Sequence, residues 1–345
     1  MKQISLVVPK YLQDNRIFDT NLHRDNCFAR FTLLKSMFAE LGYDLSTNDI
    51  HGLDRSQFVI YASNMPKKLP ALSDAYKSFL ILSESAFIRP ENYDQNNHRN
   101  FNKIFTWSDE LVDDKKYIKL NYSHDFPSSI EKNIAKKTKL CAMIAGNKRP
   151  QRTLKPELKA LDLYMEREKA IRWFEVNQPS NFDLYGVGWD QFEFQGPKFV
   201  RALNLVPYIP TLTQRLLRQS YPSYRGRVAH KVPVLQKYRF SICYENAKNI
   251  PGYITEKIFD SFFAGCIPIY WGANNIDQYV PKECFIDKRN FPTYDELFKY
   301  ISTMSGNTIG EYLESIEKYL RSDDSEQFTS TYFANTIIKS IVGTR

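Results

Sequence analysis

Short apolar runs alternate with helical patterns along the first half of the chain. The runs predict strands at 3–8, 57–62, 79–82, 103–107 and 117–121. Between the first two strands, apolar residues at helical spacing predict a helix over 28–41, and Gly42 is a plausible stop. Strands that alternate with helices indicate βαβ units and a mainly parallel sheet.

The same pattern starts again in the second half. Apolar runs predict strands at 140–145, 182–185, 239–244 and 266–271, and a long helix is predicted over 156–176. A further helix is predicted over 255–264, with Thr255 as its N-cap and Gly265 as its stop. Two amphipathic helices close the chain. One presents Ile309, Leu313, Ile316 and Leu320, and the other Phe328, Tyr332 and Ile338.

This restart predicts an α/β protein with two Rossmann-like βαβ domains that face a cleft. The length of 345 residues also favours two domains. We expect an N-terminal domain over 1–130, a C-terminal domain over 136–300, and C-terminal helices over 301–345 that pack on both.

Composition and charge narrow the class of protein. Hydrophobic residues make up 43% and aromatic residues 14% of the chain, which excludes a disordered protein. The net charge of +8 predicts an anionic partner. The densest basic patch, Lys148-Arg149-Pro150-Gln151-Arg152 with Lys155, suits a phosphate or a lipid headgroup, or else is a solvated loop. The sequence lacks a nucleic-acid-binding motif, so no nucleic-acid partner is expected.

The sequence also predicts where the protein works. The longest uncharged apolar stretch, 261–276, is shorter than the roughly 20 residues that span a membrane. Residues 1–9 lack the apolar centre of a signal peptide. The five cysteines are far apart and odd in number, which predicts reduced, mostly buried thiols. We therefore expect a cytoplasmic protein, whose basic loop could attach it peripherally to the inner face of a membrane.

The sequence lacks the motifs of several classes of enzyme. Gly186-Val187-Gly188 follows a predicted strand but lacks the third glycine of a dinucleotide fingerprint. The sequence has no GxxxxGK[ST], GxSxG or HExxH, and it has no Asp-x-Asp. The five histidines show no ligand spacing, so we expect neither a metal site nor a cofactor.

The segment 238–272 holds the most informative chemistry. A buried strand is predicted to deliver Glu245 and Asn246 at its carboxyl end, where parallel sheets bind ligands. The following helix start offers free N–H groups for a diphosphate, and Lys257 adds a positive charge there. Glu256 can accept hydrogen bonds from sugar hydroxyls, and Tyr253 can stack on a ring. A capped βαβ unit with Glu256 and Lys257 on the surface is the equally weighted alternative.

The same segment strongly resembles the signature of the α1,3/α1,4-fucosyltransferases, glycosyltransferase family 10. The matching residues are Tyr244-Glu245-Asn246, Tyr253-Ile254-Thr255-Glu256-Lys257 and Gly265-Cys266-Ile267-Pro268-Ile269-Tyr270-Trp271-Gly272. The resemblance is clear over about 139–290 and weaker over about 78–125. It implies a GT-B fold, GDP-β-L-fucose as co-substrate, and transfer with inversion to an oligosaccharide or lipid-linked glycan. The N-terminal domain would bind this acceptor, and the C-terminal domain would bind the donor.

The resemblance also implies roles for individual residues. Donor-binding positions fall on Asn147, Arg167, Tyr244, Glu245, Asn246, Tyr253, Thr255, Glu256 and Lys257. The turn Tyr224-Arg225-Gly226-Arg227 could add a further phosphate-binding arginine. An inverting transfer needs a base, and Glu84 resembles the family's glutamate, with Glu91 and Glu110 as alternates. Lys257 and Arg167 would stabilise the leaving diphosphate without a metal.

Three other interpretations stay open. The donor could be another GDP-deoxyhexose, because the sequence does not reveal the sugar. The protein could be a non-catalytic relative that binds a glycan or a nucleotide. A nucleic-acid binder is the most distant of the three, since only the net charge favours it.

Overall fold

The chain is described by a computed structural model over residues 1–343, apart from 23, 63, 151–153, 193, 195–196 and 217–219. In this described part, the first sheet has six parallel strands in the order β2-β1-β3-β4-β5-β6. They are β1 (Lys2–Val7), β2 (Tyr43–Thr47), β3 (Phe58–Tyr61), β4 (Ser78–Leu82), β5 (Lys103–Thr106) and β6 (Tyr117–Lys119).

The second sheet has five parallel strands among the described residues, in the order β11-β10-β9-β7-β8. They are β7 (Lys139–Ile144), β8 (Phe182–Tyr185), β9 (Tyr238–Tyr244), β10 (Ile267–Trp271) and β11 (Ile286–Asp287). The α/β fold class and the two parallel sheets predicted from the sequence are therefore confirmed. The short strands β2 and β11 had not been predicted, because neither forms a continuous apolar run.

Helices cover the sheets and connect their strands. They are α1 (Ala29–Glu40), α2 (Gln95–His98), α3 (Pro156–Lys159), α4 (Tyr164–Asn177), α5 (Lys198–Ala202), α6 (Ile209–Leu216), α7 (Val232–Leu235), α8 (Glu256–Phe263), α9 (Tyr294–Ser302), α10 (Gly306–Leu320) and α11 (Ser330–Val342). None of the helices in the described ranges is long and apolar enough to cross a lipid bilayer.

The long helix predicted over 156–176 is wrong, because the chain breaks it between α3 and α4. The N–H of Leu163 donates to the carbonyl of Asn246 (3.2 Å), and the N–H of Lys248 donates to the carbonyl of Leu161 (2.8 Å). The Asp162 carboxylate accepts the N–H of Tyr164 at 2.7 Å. The first two of these hydrogen bonds fasten the start of α4 to the loop after β9, and the third is local to the break.

The two C-terminal helices pack on different cores. The buried face of α10 packs on the core of the second sheet and consists of Ile309, Leu313, Ile316 and Tyr319. That of α11 packs on the core of the first sheet and includes Phe333, Ala334, Ile337 and Ile341. Of the face predicted for the last helix, Ile338 packs at the edge of this core and Tyr332 is only partly buried, whereas Phe328 lies before α11 and packs on the core of the second sheet. The Phe31 ring contacts Phe333 edge-on at 5.5 Å, which fixes α11 against α1.

Thiols play no covalent part in this packing. Cys141, Cys243, Cys266 and Cys284 are buried, whereas Cys27 is exposed, and all five, which lie in the described part, are free. The prediction of reduced, mostly buried cysteines agrees with this arrangement.

His124 joins the two halves of the molecule. Its ring lies 4.8 Å from the ring of Phe259 on α8, and its Nε2 atom is buried without a hydrogen-bond partner. Burial and, to a smaller extent, the nearby Arg30 guanidinium lower the pKa of His124 to about 3. The imidazole is therefore neutral where the halves meet.

This buried imidazole should make the fold sensitive to acid. An unfolded histidine takes up a proton near pH 6.5, whereas the folded ring does not until about pH 3. The stability that depends on neutral His124 is therefore complete above pH 6.5 and is lost as the pH falls. By pH 5 the loss should reach about 2 kcal/mol. We expect the His124→Phe variant to lack this loss of stability between pH 7 and pH 5, as measured by urea unfolding at the two pH values. An equal loss in wild type and variant would contradict this role.

Candidate active site

A cavity of about 370 Å³ lies between the two sheets, at the carboxyl ends of several strands. The first domain contributes Glu84, after β4, and Tyr122, after β6. The second contributes residues at the ends of β7, β8 and β9 and the start of α8. Of the predicted site residues, the lining includes Glu84, Arg167, Tyr244, Asn246, Tyr253, Thr255, Glu256 and Lys257. The other two, Glu245 and Asn147, lie around it.

Glu245 is fully buried and organises the loop from β9 to α8. Its carboxylate accepts the N–H of Thr255 at 2.8 Å and the hydroxyl of Thr255 at 2.7 Å. It also accepts from Lys257 Nζ at 3.0 Å. Thr255 stands at the N-cap position as predicted, but its hydroxyl is bonded to Glu245 and not to the helix. Glu245 thus positions the start of α8 beside the cavity and is not part of its lining.

Opposite charges meet at the first turn of α8. Burial opposes the charge on Lys257, but Glu245 and Glu256 outweigh it and hold the pKa of the ammonium above its ordinary value. Burial likewise opposes the charge on Glu256, but Lys257 and Lys231 hold the pKa of that carboxyl well below its usual range. At neutral pH this end of the cavity therefore presents a cation beside an anion.

Arg167 projects into the same cavity from α4. Its side chain is 4% exposed, and its Nη2 donates to the carbonyl of Tyr244 (2.7 Å) and to Asn246 Oδ1 (3.0 Å). The guanidinium lies 5.0 Å from the centre of the Tyr164 ring. Burial lowers the pKa of Arg167, although guanidinium groups remain protonated in proteins. Because the break before α4 sets where this helix begins, it also sets the position of this charge.

Tyr253 lies where the domains meet. Its ring is fully buried and lies 4.8 Å from Trp107 and 6.4 Å from Tyr122. Asn246 Nδ2 lies 3.2 Å from the Tyr253 hydroxyl. The preceding Gly252 has φ +77°, and a Cβ there would come within 2.5 Å of the Trp107 carbonyl. The first domain therefore holds the loop before α8 in place.

Glu84 faces this machinery from the first domain. Its backbone is held by Asn64, which accepts the Glu84 N–H at 3.3 Å, and by Asn92, which donates to the Glu84 carbonyl at 3.0 Å. Burial raises the pKa of the Glu84 carboxyl, partly offset by the nearby Lys257. A raised pKa favours a carboxylate that accepts protons.

A second cavity of about 270 Å³ adjoins the first, and Glu84 and Asn246 line both. Among the described residues that line either cavity, the two alternate bases do not occur. Glu91 is exposed and pairs with Arg89 at 3.1 Å, and Glu110 is exposed. Glu84 is thus the one of the three that the fold brings to Lys257.

Asn147 lines only the second cavity of the two. Its side-chain amide donates to the carbonyl of Gly188 at 3.0 Å, so it braces the ends of β7 and β8. Only a glycine at 186 lets these strand ends come so close, because a Cβ there would lie 1.9 Å from the Ala145 carbonyl oxygen. Gly186 therefore serves packing here.

The residues of the predicted basic patch lie in different surroundings. Lys148 lines both cavities, and Arg149, which lines the second one, pairs with Glu168. Gln151 and Arg152 lie outside the described residues. The further arginine predicted in the turn 224–227 is not part of the cavity lining that the structure describes. Arg225 pairs with Asp183 at 2.6 Å, and Arg227 is exposed.

Some lining residues carry no sequence signal that could have revealed them. The Tyr122 hydroxyl donates to the Ser83 carbonyl beside Glu84. Lys231 pairs with Asp260 at 2.5 Å, and burial raises the pKa of Asp260 to about 6. Arg24 also lines the cavity, from the first domain. These residues stand outside any motif, so only the folded chain brings them to the site.

Comparison with known proteins finds a match for the segment that contains β9, α8 and β10. Residues 215–335 match the model of the glycosyltransferase family 10 (fucosyltransferase) C-terminal domain. The matched stretch is about a third of the chain, and this segment is similar to that family's C-terminal domain. The family match therefore covers Glu245, Tyr253 and Lys257, whereas Glu84 lies outside it.

Curated relatives match over short segments. The α-(1,3)-fucosyltransferase FucT of Helicobacter pylori is 31% identical over 116 residues, which are 33% of this chain and 23% of that enzyme. An α-(1,4)-fucosyltransferase of Arabidopsis thaliana is 32% identical over 75 residues, which are 22% of this chain and 18% of that enzyme. The matches thus span less than a quarter of these relatives' own length.

Solved structures match over the whole chain. A crystal structure of α1,3-fucosyltransferase with GDP-fucose has a TM-score of 0.52 at 14% identity, over 99% of this chain and 90% of that one. Anabaena Alr3699/HepE in complex with UDP has a TM-score of 0.53 at 12% identity, over the full length of both chains. At such low identity these likenesses show the fold alone, and that fold is GT-B.

Proposed function

We propose that this protein is an inverting glycosyltransferase that moves L-fucose from GDP-β-L-fucose to a hydroxyl group of a glycan. The observation that carries the proposal is that Glu84 and Lys257 line one cavity from opposite domains. The family 10 segment supplies Lys257 and so supports GDP-fucose as the donor. An oligosaccharide or a lipid-linked glycan would bind on the side of the first domain.

In the proposed reaction, the Glu84 carboxylate takes the proton of the acceptor hydroxyl as its oxygen attacks the anomeric carbon. The new C–O bond forms on the face opposite GDP, while the bond from that carbon to the β-phosphate oxygen breaks. GDP leaves with the electron pair of this bond. The anomeric configuration inverts, so a β-linked donor yields an α-linked fucoside.

The leaving diphosphate gains negative charge, which nearby cations stabilise. Lys257 and Arg167 line the cavity and carry that charge in the proposal, and Lys148 adds a third cation at its rim. Glu256 would accept hydrogen bonds from the sugar hydroxyls. Tyr253 lines the cavity and would contact the sugar there.

A donor screen by thermal shift tests this function. Saturating GDP-fucose should raise the melting temperature by roughly 2–4 °C, since a ligand at a hundred times its Kd adds about 2.7 kcal/mol. GDP-mannose and UDP-sugars are the comparison donors. A larger shift with another GDP-deoxyhexose would favour the alternative donor, and the absence of a shift with every GDP compound would overturn the proposal. Binding of GDP-fucose without transfer to any glycan would favour the non-catalytic relative.

We further propose that the transfer needs no metal ion. Because Lys257 and Arg167 can stabilise the diphosphate, activity should survive EDTA, with at most mild stimulation by divalent ions. The measurement is GDP release after dialysis against the chelator. Complete loss of activity that one specific cation restores would contradict this expectation.

A further inference from the structure

Large apolar side chains are exposed along the stretch from α5 to the end of α6, here called the 198–216 segment. The exposed fractions are 76% for Phe199, 85% for Leu205 and Tyr208, 57% for Leu212 and 74% for Leu216. Single exposed apolar residues are common on protein surfaces, but a concentration of them marks a surface that binds something.

Helix α6 turns its leucines outward. Leu212 and Leu216, four residues apart, share the exposed side, whereas Pro210 and Gln214 share the buried side. The buried Gln214 donates from Nε2 to the carbonyl of Trp189 at 2.7 Å, which fixes this orientation. A surface helix ordinarily buries its leucines and exposes its glutamines. The reversed arrangement therefore fits a helix whose outer face meets another apolar phase.

The charges around this face indicate which apolar phase it meets. The sequence has no Asp or Glu between Glu193 and Glu245, although acidic residues number 39 in 345 overall. The same stretch contains nine Lys and Arg residues. Two of them, Lys198 and Arg201, are exposed on α5 beside the apolar side chains. A partner that binds this surface must therefore combine apolar groups with negative charge.

We propose that the 198–216 segment docks the protein on the surface of an anionic lipid bilayer. Leu205, Tyr208, Leu212 and Leu216 would enter the boundary between headgroups and acyl chains, with Lys198 and Arg201 at the level of the phosphates. A second copy of the chain fits less well, because like charges would meet if two such surfaces packed on each other.

The docking surface is attached to the wall of the main cavity. Gln214 bonds to Trp189, and Trp189 Nε1 donates to the carbonyl of Ala145 at 2.6 Å. Ala145 and the half-exposed Val187 both line the cavity. A docked protein would therefore hold its cavity near the lipid surface. The docking itself does not depend on the proposed function, since it is measured without any substrate.

Vesicle flotation of the full chain tests the proposal. We expect binding to vesicles of phosphatidylcholine with phosphatidylglycerol, and much weaker binding to phosphatidylcholine alone or at high salt. Leu212→Glu combined with Leu216→Glu should weaken binding by at least about tenfold. Leu72→Glu combined with Val176→Glu is the control of equal charge, since both side chains are exposed elsewhere, and it should bind as wild type does. Lys198→Gln combined with Arg201→Gln should remove most of the preference for anionic lipid.

Thermal unfolding of each variant verifies that it is folded, and sedimentation velocity reports its association state. The proposal is overturned if the wild type fails to float, or if the control pair loses as much binding as the leucine pair. It is also overturned if the wild type self-associates and the leucine pair makes it monomeric without changing flotation. In that case the surface is an interface between copies.

Discussion

Glu84→Gln should lower kcat at least a hundredfold while the affinity for GDP stays within about threefold. The amide keeps the shape of the side chain but cannot take a proton, and removal of a general base typically costs about 10²–10⁴ in rate. A hundredfold loss corresponds to about 2.7 kcal/mol in the barrier. GDP would bind to the second domain, so its affinity should hardly change. Steady-state kinetics and calorimetric titration with GDP measure the two quantities.

The pH profile provides an independent readout of the same residue. Burial raises the pKa of Glu84 above the ordinary value of 4.5, so the wild-type rate should fall as the pH drops through this raised pKa. The variant should lack that acid limb. Glu91→Gln is the matched control, because Glu91 is exposed and paired with Arg89. Near-normal turnover of Glu84→Gln together with inactivity of Glu91→Gln or Glu110→Gln would show that the base is assigned wrongly.

Lys257→Ala should weaken GDP binding by about tenfold to a hundredfold. A hydrogen bond to a charged group is worth about 1.5–3 kcal/mol, and Lys257 provides the cation at the first turn of α8. The variant should also unfold more readily. Lys257 Nζ lies 3.0 Å from the Glu245 carboxylate, which is fully buried and would lose its ionic partner.

The control for this experiment is Lys248→Ala. Lys248 lies in the loop that precedes α8, with its ammonium 5.4 Å from the Trp271 ring, and is not among the described residues that line the cavity. Calorimetric titration with GDP compares the two variants after thermal unfolding has verified that both are folded. Equal GDP affinity of a folded Lys257→Ala and the wild type would remove Lys257 from the site.

The sequence by itself predicted the elements whose signals are local. Apolar runs such as 140–145 and 239–244 become β7 and β9, because a buried parallel strand needs continuous apolar residues. The spacing within Tyr253-Ile254-Thr255-Glu256-Lys257 is likewise local, but by itself it left a nucleotide-sugar site and a capped βαβ unit with surface residues equally weighted. The assignment of these residues to fucose transfer came from their resemblance to a family and not from their spacing.

Only the tertiary structure decided how these pieces act on one another. Helical spacing ran unbroken from 156 to 176, yet the break before α4 arises from hydrogen bonds to the loop after β9, which lies far away in sequence. The carboxylate of Glu245 is buried among its partners and not offered to a ligand, and a single sequence does not distinguish these outcomes.

The sequence by itself likewise does not determine which side chains are exposed on the surface. Leucines four residues apart ordinarily mark the buried face of a helix, but Leu212 and Leu216 of α6 are exposed, and Gln214 is held inward by its hydrogen bond to Trp189. The meeting of Glu84 with Lys257 across 172 intervening residues is decided in the same way, by two sheets whose carboxyl ends face each other. Local sequence determines the elements, because their hydrogen bonds and periodicity are local. The cleft and the surfaces depend on contacts between distant residues, and only the folded chain brings those together.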